Sequence, residues 1–188
     1  VHVNVGTANA ICGIMNAARE NVPILMTSGR TPLTEEGFDG SRSLYIHWGQ
    51  EMFDQASTLR EMVKWDYELR NTKQIETIVD RAVSVAMSEP RGPVYLSLPR
   101  EVLAEDPGEF IFQSPTRRVP AHGAAPDPVA LDEAAEILAA AKNPLIITAS
   151  MGQNRAAVPA LESLAERYAL PVITYRPRYV NISSDHPM

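Results

Sequence analysis

The stretch TKQIETIVDRAVSVAMSEPRGPVYLSL, residues 72–98, decides the fold class. Ile75, Ile78, Val79, Ala82, Val83 and Ala86 recur at three- and four-residue spacing and so share one face of a helix, while Glu76, Asp80 and Arg81 fall on the other. The spacing predicts an amphipathic helix over Thr72 to Met87. Pro90, Gly92 and Pro93 end it, because proline lacks the N–H that a helix interior needs and glycine favours turns. Val94 to Leu98 then forms a short apolar run of strand type, the kind buried on both faces of a parallel sheet. Helix, short break and buried strand are the repeating half of a βα unit, which predicts an α/β fold.

Working outward, the same alternation recurs on both sides. Upstream, Val1 to Asn4 reads as a strand and Val5 to Asn9 as a tight connection. Thr7 to Arg19 reads as a helix carrying Ile11, Ile14, Met15 and Ala18 at helical spacing. Pro23 to Thr27 is a second strand ended by Ser28-Gly29, Thr31 to Ser43 a long polar loop, His47 to Gln55 a short helical turn and Val63 to Tyr67 a strand. Downstream, residues 105–126 gather Pro107, Pro115, Pro120 and Pro126 in an extended linker between a first domain, 1–104, and a second, 127–188. There Asp127 is placed to cap a helix opening at Pro128 and running over Val129 to Ala141. Leu145 to Thr148, Ala156 to Tyr168 and Pro171 to Thr174 follow as strand, helix and strand. The expectation is α/β: parallel-sheet, three-layer units. Opening inside a strand pattern without Met and closing on Asp185-His186-Pro187-Met188, the chain is expected to be an internal piece of a longer protein.

Composition narrows the function classes. Seventeen Lys and Arg against 23 Asp and Glu give a net charge of −6, and the basic residues are scattered, which argues against a nucleic-acid partner. No apolar run reaches the roughly 18–20 residues a membrane helix needs, which argues against a membrane partner. Cys12, the one cysteine, forms no internal disulfide, and a reducing, cytoplasmic setting is expected. His2, His47, His122 and His186 are too dispersed for a metal-ligand pair, so no metal site is expected within this chain. Neither a Gly-x-Ser-x-Gly elbow nor a P-loop is present.

Three segments are candidate sites. The Val5–Asn9 junction offers a glycine turn and bare amides at a helix start, where α/β sheets bind ligands. Ser28-Gly29-Arg30-Thr31 would open on the same sheet edge, with Arg30 able to pair with a carboxylate or phosphate. His47-Trp48-Gly49-Gln50 with Phe53 mixes an imidazole, an amide and aromatics as a pocket wall would. A capped turn, a surface arginine and a packing corner are the plain alternatives.

The order of these segments resembles the thiamine diphosphate-dependent decarboxylases and synthases, the family of acetolactate synthase, benzoylformate decarboxylase and oxalyl-CoA decarboxylase. The segments similar to its pyrimidine-binding domain are Val5-Gly6-Thr7-Ala8-Asn9-Ala10-Ile11, Asn21-Val22-Pro23-Ile24-Leu25 and Arg91-Gly92-Pro93-Val94-Tyr95. Asn143-Pro144-Leu145, Leu170-Pro171-Val172 and Asp185-His186-Pro187 resemble the first half of its Rossmann-like central domain. The resemblance implies an incomplete pyrimidine domain plus the start of a central domain, in an enzyme that decarboxylates or ligates 2-oxo acids with thiamine diphosphate and Mg. It also implies a homodimer or homotetramer.

By the same resemblance Val5, Gly6 and Asn9 stand where the family approaches the aminopyrimidine, and Arg30 and Phe53 stand near its substrate. The catalytic glutamate is expected upstream of Val1 and the magnesium motif in a further domain, so the chain alone is expected to be inactive. Arg30 replaces a glutamine usual in acetolactate synthases, which argues against that enzyme itself. Ala149-Ser150-Met151-Gly152 and Tyr175-Arg176-Pro177-Arg178 lack the glycines that accompany flavin, which argues against bound FAD. The rival is a noncatalytic nucleotide-binding or regulatory module using Gly152 and the Arg176–Arg178 loop.

Overall fold

A computed structural model describes residues 1–109 and 119–188, and the middle of the linker lies outside the described residues. The chain divides into two compact units, Val1–Gly123 and Ala124–Met188.

In the first unit, α1 (Val3–Arg19), β1 (Leu25–Arg30), α2 (Ile46–Gly49) and β2 (Asp66–Glu68) precede α3 (Ile75–Met87), β3 (Val94–Pro99) and α4 (Arg100–Ala104). The sheet is parallel with order β1-β3-β2, Leu25 facing Val94 and Asp66 facing Tyr95 at the start of each register. Residues along β3 alternate between its two faces. Val94 and Leu96 pack with Ile78, Ala82 and Ala86 of α3, whereas Tyr95 packs with Ile14 of α1, Met26 and Leu59. The sheet is thus the middle of three layers, and each aliphatic side chain fully buried against it contributes about 1.5–3 kcal/mol. Lys64 Nζ donates to Val85 O and Ser88 O at 2.6 Å each, closing the C-terminal end of α3.

The expected strand over Val1 to Asn4 is corrected. Only Val1 pairs with β1, its amino group donating to Thr27 O at 2.7 Å and its carbonyl accepting from Gly29 N at 3.3 Å. The chain then turns at Val3, φ +34°, straight into α1, so Val5, Gly6 and Asn9 are helical and not a βα turn. Valine alternation favours a strand locally, but tertiary hydrogen bonds to Val3 O from Thr7 Oγ1 (2.8 Å) and Ser28 Oγ (2.9 Å) hold the helix start. Two further strands sit late: Pro23–Thr27 is found at Leu25–Arg30, and Val63–Tyr67 at Asp66–Glu68.

The Thr31–Ser43 loop contains no helix or strand and is pinned at both ends. Buried Arg42 donates to Pro32 O at 3.2 Å and pairs with Glu51 and, at 3.5 Å, with Glu35. Thr34 donates through its amide and hydroxyl to Glu101 Oε1, both at 2.7 Å. Gly40 has φ +85°, and a Cβ there would stand 2.9 Å from Glu101 Cα, so the loop needs glycine to approach α4.

Burial alone would raise the Glu101 carboxyl, but the Thr34 donors outweigh it and hold the group below its ordinary value. A depressed carboxyl stabilises the fold above its unfolded pKa and loses that contribution as pH falls through its lower native value. The Thr34 amide resonance is therefore expected to move toward a free-loop position on acidification below about pH 4. Glu101→Gln keeps the acceptor oxygen and is expected to abolish that titration, and an unchanged titration in the variant would rule the carboxylate out.

The second unit contains α5 (Pro128–Ala140), β4 (Ile146–Thr148), α6 (Ala157–Tyr168) and β5 (Val172–Thr174), with β4 and β5 parallel. Asp127 caps α5 by accepting from Val129 N at 2.9 Å, with Pro128 in the first helical turn. Leu161 and Ala165 are the buried residues of α6. Gly152 sits in a 3-10 turn where any Cβ would collide with Val180 O, and Met151 N donates to Asn181 Oδ1 at 2.6 Å.

Candidate functional site

At the carboxyl end of β1 the first unit carries a cavity of about 400 Å³, reached by Val3, Gly29, Arg30 and Thr31 and closed opposite by His47, Gln50 and Arg100. Three elements aim these side chains. β1 buries Arg30 in its last pleat, α2 carries His47, and β3 runs directly into α4 to present Arg100. Leu44, Ile46, Leu98 and Leu103 make the rest of the wall largely carbon. No carboxylate lines this cavity among the described residues.

Arg30 lies between this cavity and a second of about 390 Å³, which Phe53, Arg60, Tyr67 and Glu68 also line. Of the two readings of Arg30, the surface arginine does not hold: it is 9 % exposed, and its Nε donates to Glu68 Oε2 at 2.5 Å. A carboxylate 38 residues away in the same chain already takes one edge of the guanidinium. Its Nη1, buried, has no partner, and neither has the buried hydroxyl of Thr31. Phe53 is fully exposed and shares only the second cavity with Arg30. In that second cavity Arg60 is engaged, bridging Asp54 at 2.7 Å and Asp66 at 3.1 Å, which holds the Asp54 carboxyl below its ordinary value.

The His47 cluster divides. His47 and Gln50 face the first cavity, whereas half-exposed Trp48 donates to Glu35 Oε2 at 3.1 Å and lies under the Arg42 guanidinium. Val5 and Asn9, one helical turn apart, are exposed on the outer face of α1, and Gly6 is half-buried beside Val1. Val5 presents carbon and Asn9 an amide on this face, whereas the Gly6 amide is spent inside the helix on His2 O at 2.7 Å. Among the described residues no group of three or more His, Cys, Asp or Glu could hold a metal ion.

Behind this face runs a buried hydroxyl network that the sequence did not announce. Thr7 Oγ1 lies 3.0 Å from Tyr95 Oη, and Gln55 Nε2 donates to Tyr95 Oη at 2.8 Å, to Gly29 O at 3.0 Å and to Ser28 Oγ at 3.2 Å. Thr7, Ser28, Tyr95 and Gln55 are all at most 3 % exposed. The network locks the start of α1 to the carboxyl end of β1 and to the Tyr95 side chain of β3, which fixes where Val5 and Gly6 stand relative to Arg30. Arg100 is the other residue that sequence reasoning missed, and its position just after the apolar strand Val94 to Pro99 was the available signal.

No family model matches the chain. It is 33 % identical over 171 residues to a probable 2-ketoarginine decarboxylase of Pseudomonas aeruginosa, covering 90 % of this chain and 28 % of that one. It is 27 % identical over 172 residues to the acetolactate synthase large subunit of Parasynechococcus marenigrum, covering 90 % and 26 %. Among solved structures, a putative thiamin diphosphate-dependent enzyme from Mycobacterium smegmatis superposes with a TM-score of 0.67 at 26 % identity, covering 100 % of this chain and 34 % of that one. The chain thus spans between about a quarter and a third of the length of these proteins. In sequence and in fold, over nearly its whole length, the chain is similar to the thiamine diphosphate-dependent synthases and decarboxylases.

Proposed function

We propose that this chain supplies part of the pyrimidine-binding domain and the first half of the central domain of a thiamine diphosphate- and magnesium-dependent enzyme that decarboxylates or ligates 2-oxo acids. The observation that carries this is the juxtaposition at the carboxyl end of β1. The exposed Val5–Asn9 face of α1 stands two residues beyond Val3, and Val3 lines the cavity that Arg30 and Arg100 enter. Bound thiamine diphosphate supplies a sink for the electron pair released when a 2-oxo acid loses carbon dioxide.

The residues of this chain do the rest of the half-site's work. Val5, Gly6 and Asn9 orient the aminopyrimidine, and the Thr7–Ser28–Tyr95 hydroxyls keep their helix in place. Leu44, Ile46, Leu98 and Leu103 keep water from the cavity beside it, and Arg30 and Phe53 face the substrate. The catalytic glutamate and the magnesium ligands come from outside this chain, and two subunits complete each site. A homodimer or homotetramer in the cytoplasm, without flavin, accords with this division. The noncatalytic nucleotide-binding reading draws no support from the relatives, and the Gly152 turn it relies on already spends its Met151 amide on Asn181.

The test is carbon dioxide release from pyruvate and from longer 2-oxo acids, 2-oxoglutarate among them, by the protein containing this chain, with and without thiamine diphosphate and magnesium. Release that needs both cofactors, and falls about tenfold or more when Asn9→Leu removes the amide, is the expected result. Cofactor-independent release, or none from any 2-oxo acid offered, would overturn it.

A further inference from the structure

Four residues with polar groups line the first cavity, and no carboxylate lies among the described residues there. Nη1 of Arg30 and Oγ1 of Thr31 are buried and unpartnered, on residues 9 % and 3 % exposed. Arg100 reaches Ser41 O at 3.5 Å and Ser43 Oγ at 3.4 Å, and forms no carboxylate pair among the described residues. Its Nη1 also lies 3.3 Å from His47 Nε2. His47 Nδ1 accepts from Ser43 N at 3.1 Å and Leu44 N at 3.4 Å, so it carries no proton and Nε2 carries the ring's N–H. Arg100 and His47 therefore point donor at donor. An oxyanion placed between them satisfies both, and the same cavity brings the free edge of Arg30 and the Thr31 hydroxyl.

Two guanidiniums do not suit the carboxylate that leaves. Its charge disperses as the bond to the carbonyl carbon breaks, so fixed cations there would stabilise the reactant more than the transition state. They suit an acid group that stays. We propose that this cavity holds a second, retained anionic group of the substrate, so that the enzyme acts on 2-oxo acids bearing an additional acid group at the far end of a short carbon chain. Arg100, His47, Thr31 and the free edge of Arg30 bind that group, and Leu44, Ile46 and Leu98 line the chain. The proposal rests on the 2-oxo acid reading above and selects one class within it.

Calorimetric titration of the 188-residue chain, without cofactor, tests it with 2-oxoglutarate and with 5-methyl-2-oxohexanoate, whose isopropyl group replaces the distal carboxylate. The dicarboxylate is expected to bind about tenfold or more tightly than its isostere, the range of a charge-assisted hydrogen bond. Arg100→Met is expected to erase that preference while leaving the isostere's affinity unchanged. Thr31→Val, nearly the same shape, is expected to reduce the preference and serves in its place if circular dichroism shows Arg100→Met unfolded. Equal affinity for the two probes, or a preference that survives in the folded variant, overturns the proposal. Because no turnover is measured, the preference can fail while cofactor-dependent decarboxylation stands, and can hold where decarboxylation is absent.

Discussion

Tyr95→Ala is expected to lower sharply the urea midpoint of the Val1–Gly123 unit. Tyr95 is completely buried on β3, the middle strand of the sheet, packed against Ile14, Met26 and Leu59. Truncating a buried aromatic side chain costs about 3–5 kcal/mol through lost transfer energy and the cavity left behind. Its hydroxyl is also the meeting point of Thr7 and Gln55, 3.0 and 2.8 Å away. Against a total domain stability of about 5–15 kcal/mol, that loss is a large fraction of the margin. Tyr95→Phe is the control. Gln55 Nε2 keeps Gly29 O and Ser28 Oγ as acceptors, and Thr7 keeps Val3 O, so the cost falls to about 1–2 kcal/mol. Urea titration followed by the fluorescence of Trp48 and Trp65 reads both. A Tyr95→Ala midpoint close to the unaltered one would mean that the hydroxyl network and its packing do not hold the layers together.

The contrast between Tyr95 and its neighbours shows what was legible in the sequence. Val94, Leu96 and the face of α3 they meet could be read from spacing alone, because apolar periodicity is local and the helix partners lie within one βα unit. Asp127 and Pro128 were legible for the same reason, since a cap acts within its own turn. The pairs that build the site are not local. Arg30 meets Glu68 across 38 positions, Arg100 meets His47 across 53 and Thr7 meets Tyr95 across 88. No periodicity records such partnerships, and an arginine followed by a polar loop carries no sign that it is buried. The start of α1 failed for a related reason. Three alternating valines favour a strand, and the bonds that override them come from Thr7 and from Ser28 on a different element.

Glu68→Ala is expected to destabilise the first unit strongly, although Glu68 is itself about a third exposed. The exposed end belongs to the carboxylate, but its partner Arg30 is 9 % exposed and would be left as a buried, unpaired cation. Breaking a buried pair from one side costs about 3–5 kcal/mol, and the access of water to Glu68 places this one at or below the lower figure. The pair itself is a weak source of stability, because two desolvated charges nearly cancel their own attraction. The double replacement Arg30→Met, Glu68→Met is therefore expected to recover most of the urea midpoint that Glu68→Ala loses. If instead the double variant is as unstable as the single one, Arg30 is held in β1 for packing and its charge is incidental. Recovery would carry a second consequence. A chain that folds as well without Arg30 and Glu68 keeps the pair for something other than stability, and the unpartnered Nη1 beside Thr31 accords with the anion-binding role proposed above. Glu68 takes one side of the guanidinium and leaves Nη1, buried on a residue that lines the cavity, without a protein acceptor. The refolded double variant should then bind 2-oxoglutarate no better than its uncharged isostere, separating the stability of β1 from the recognition it performs.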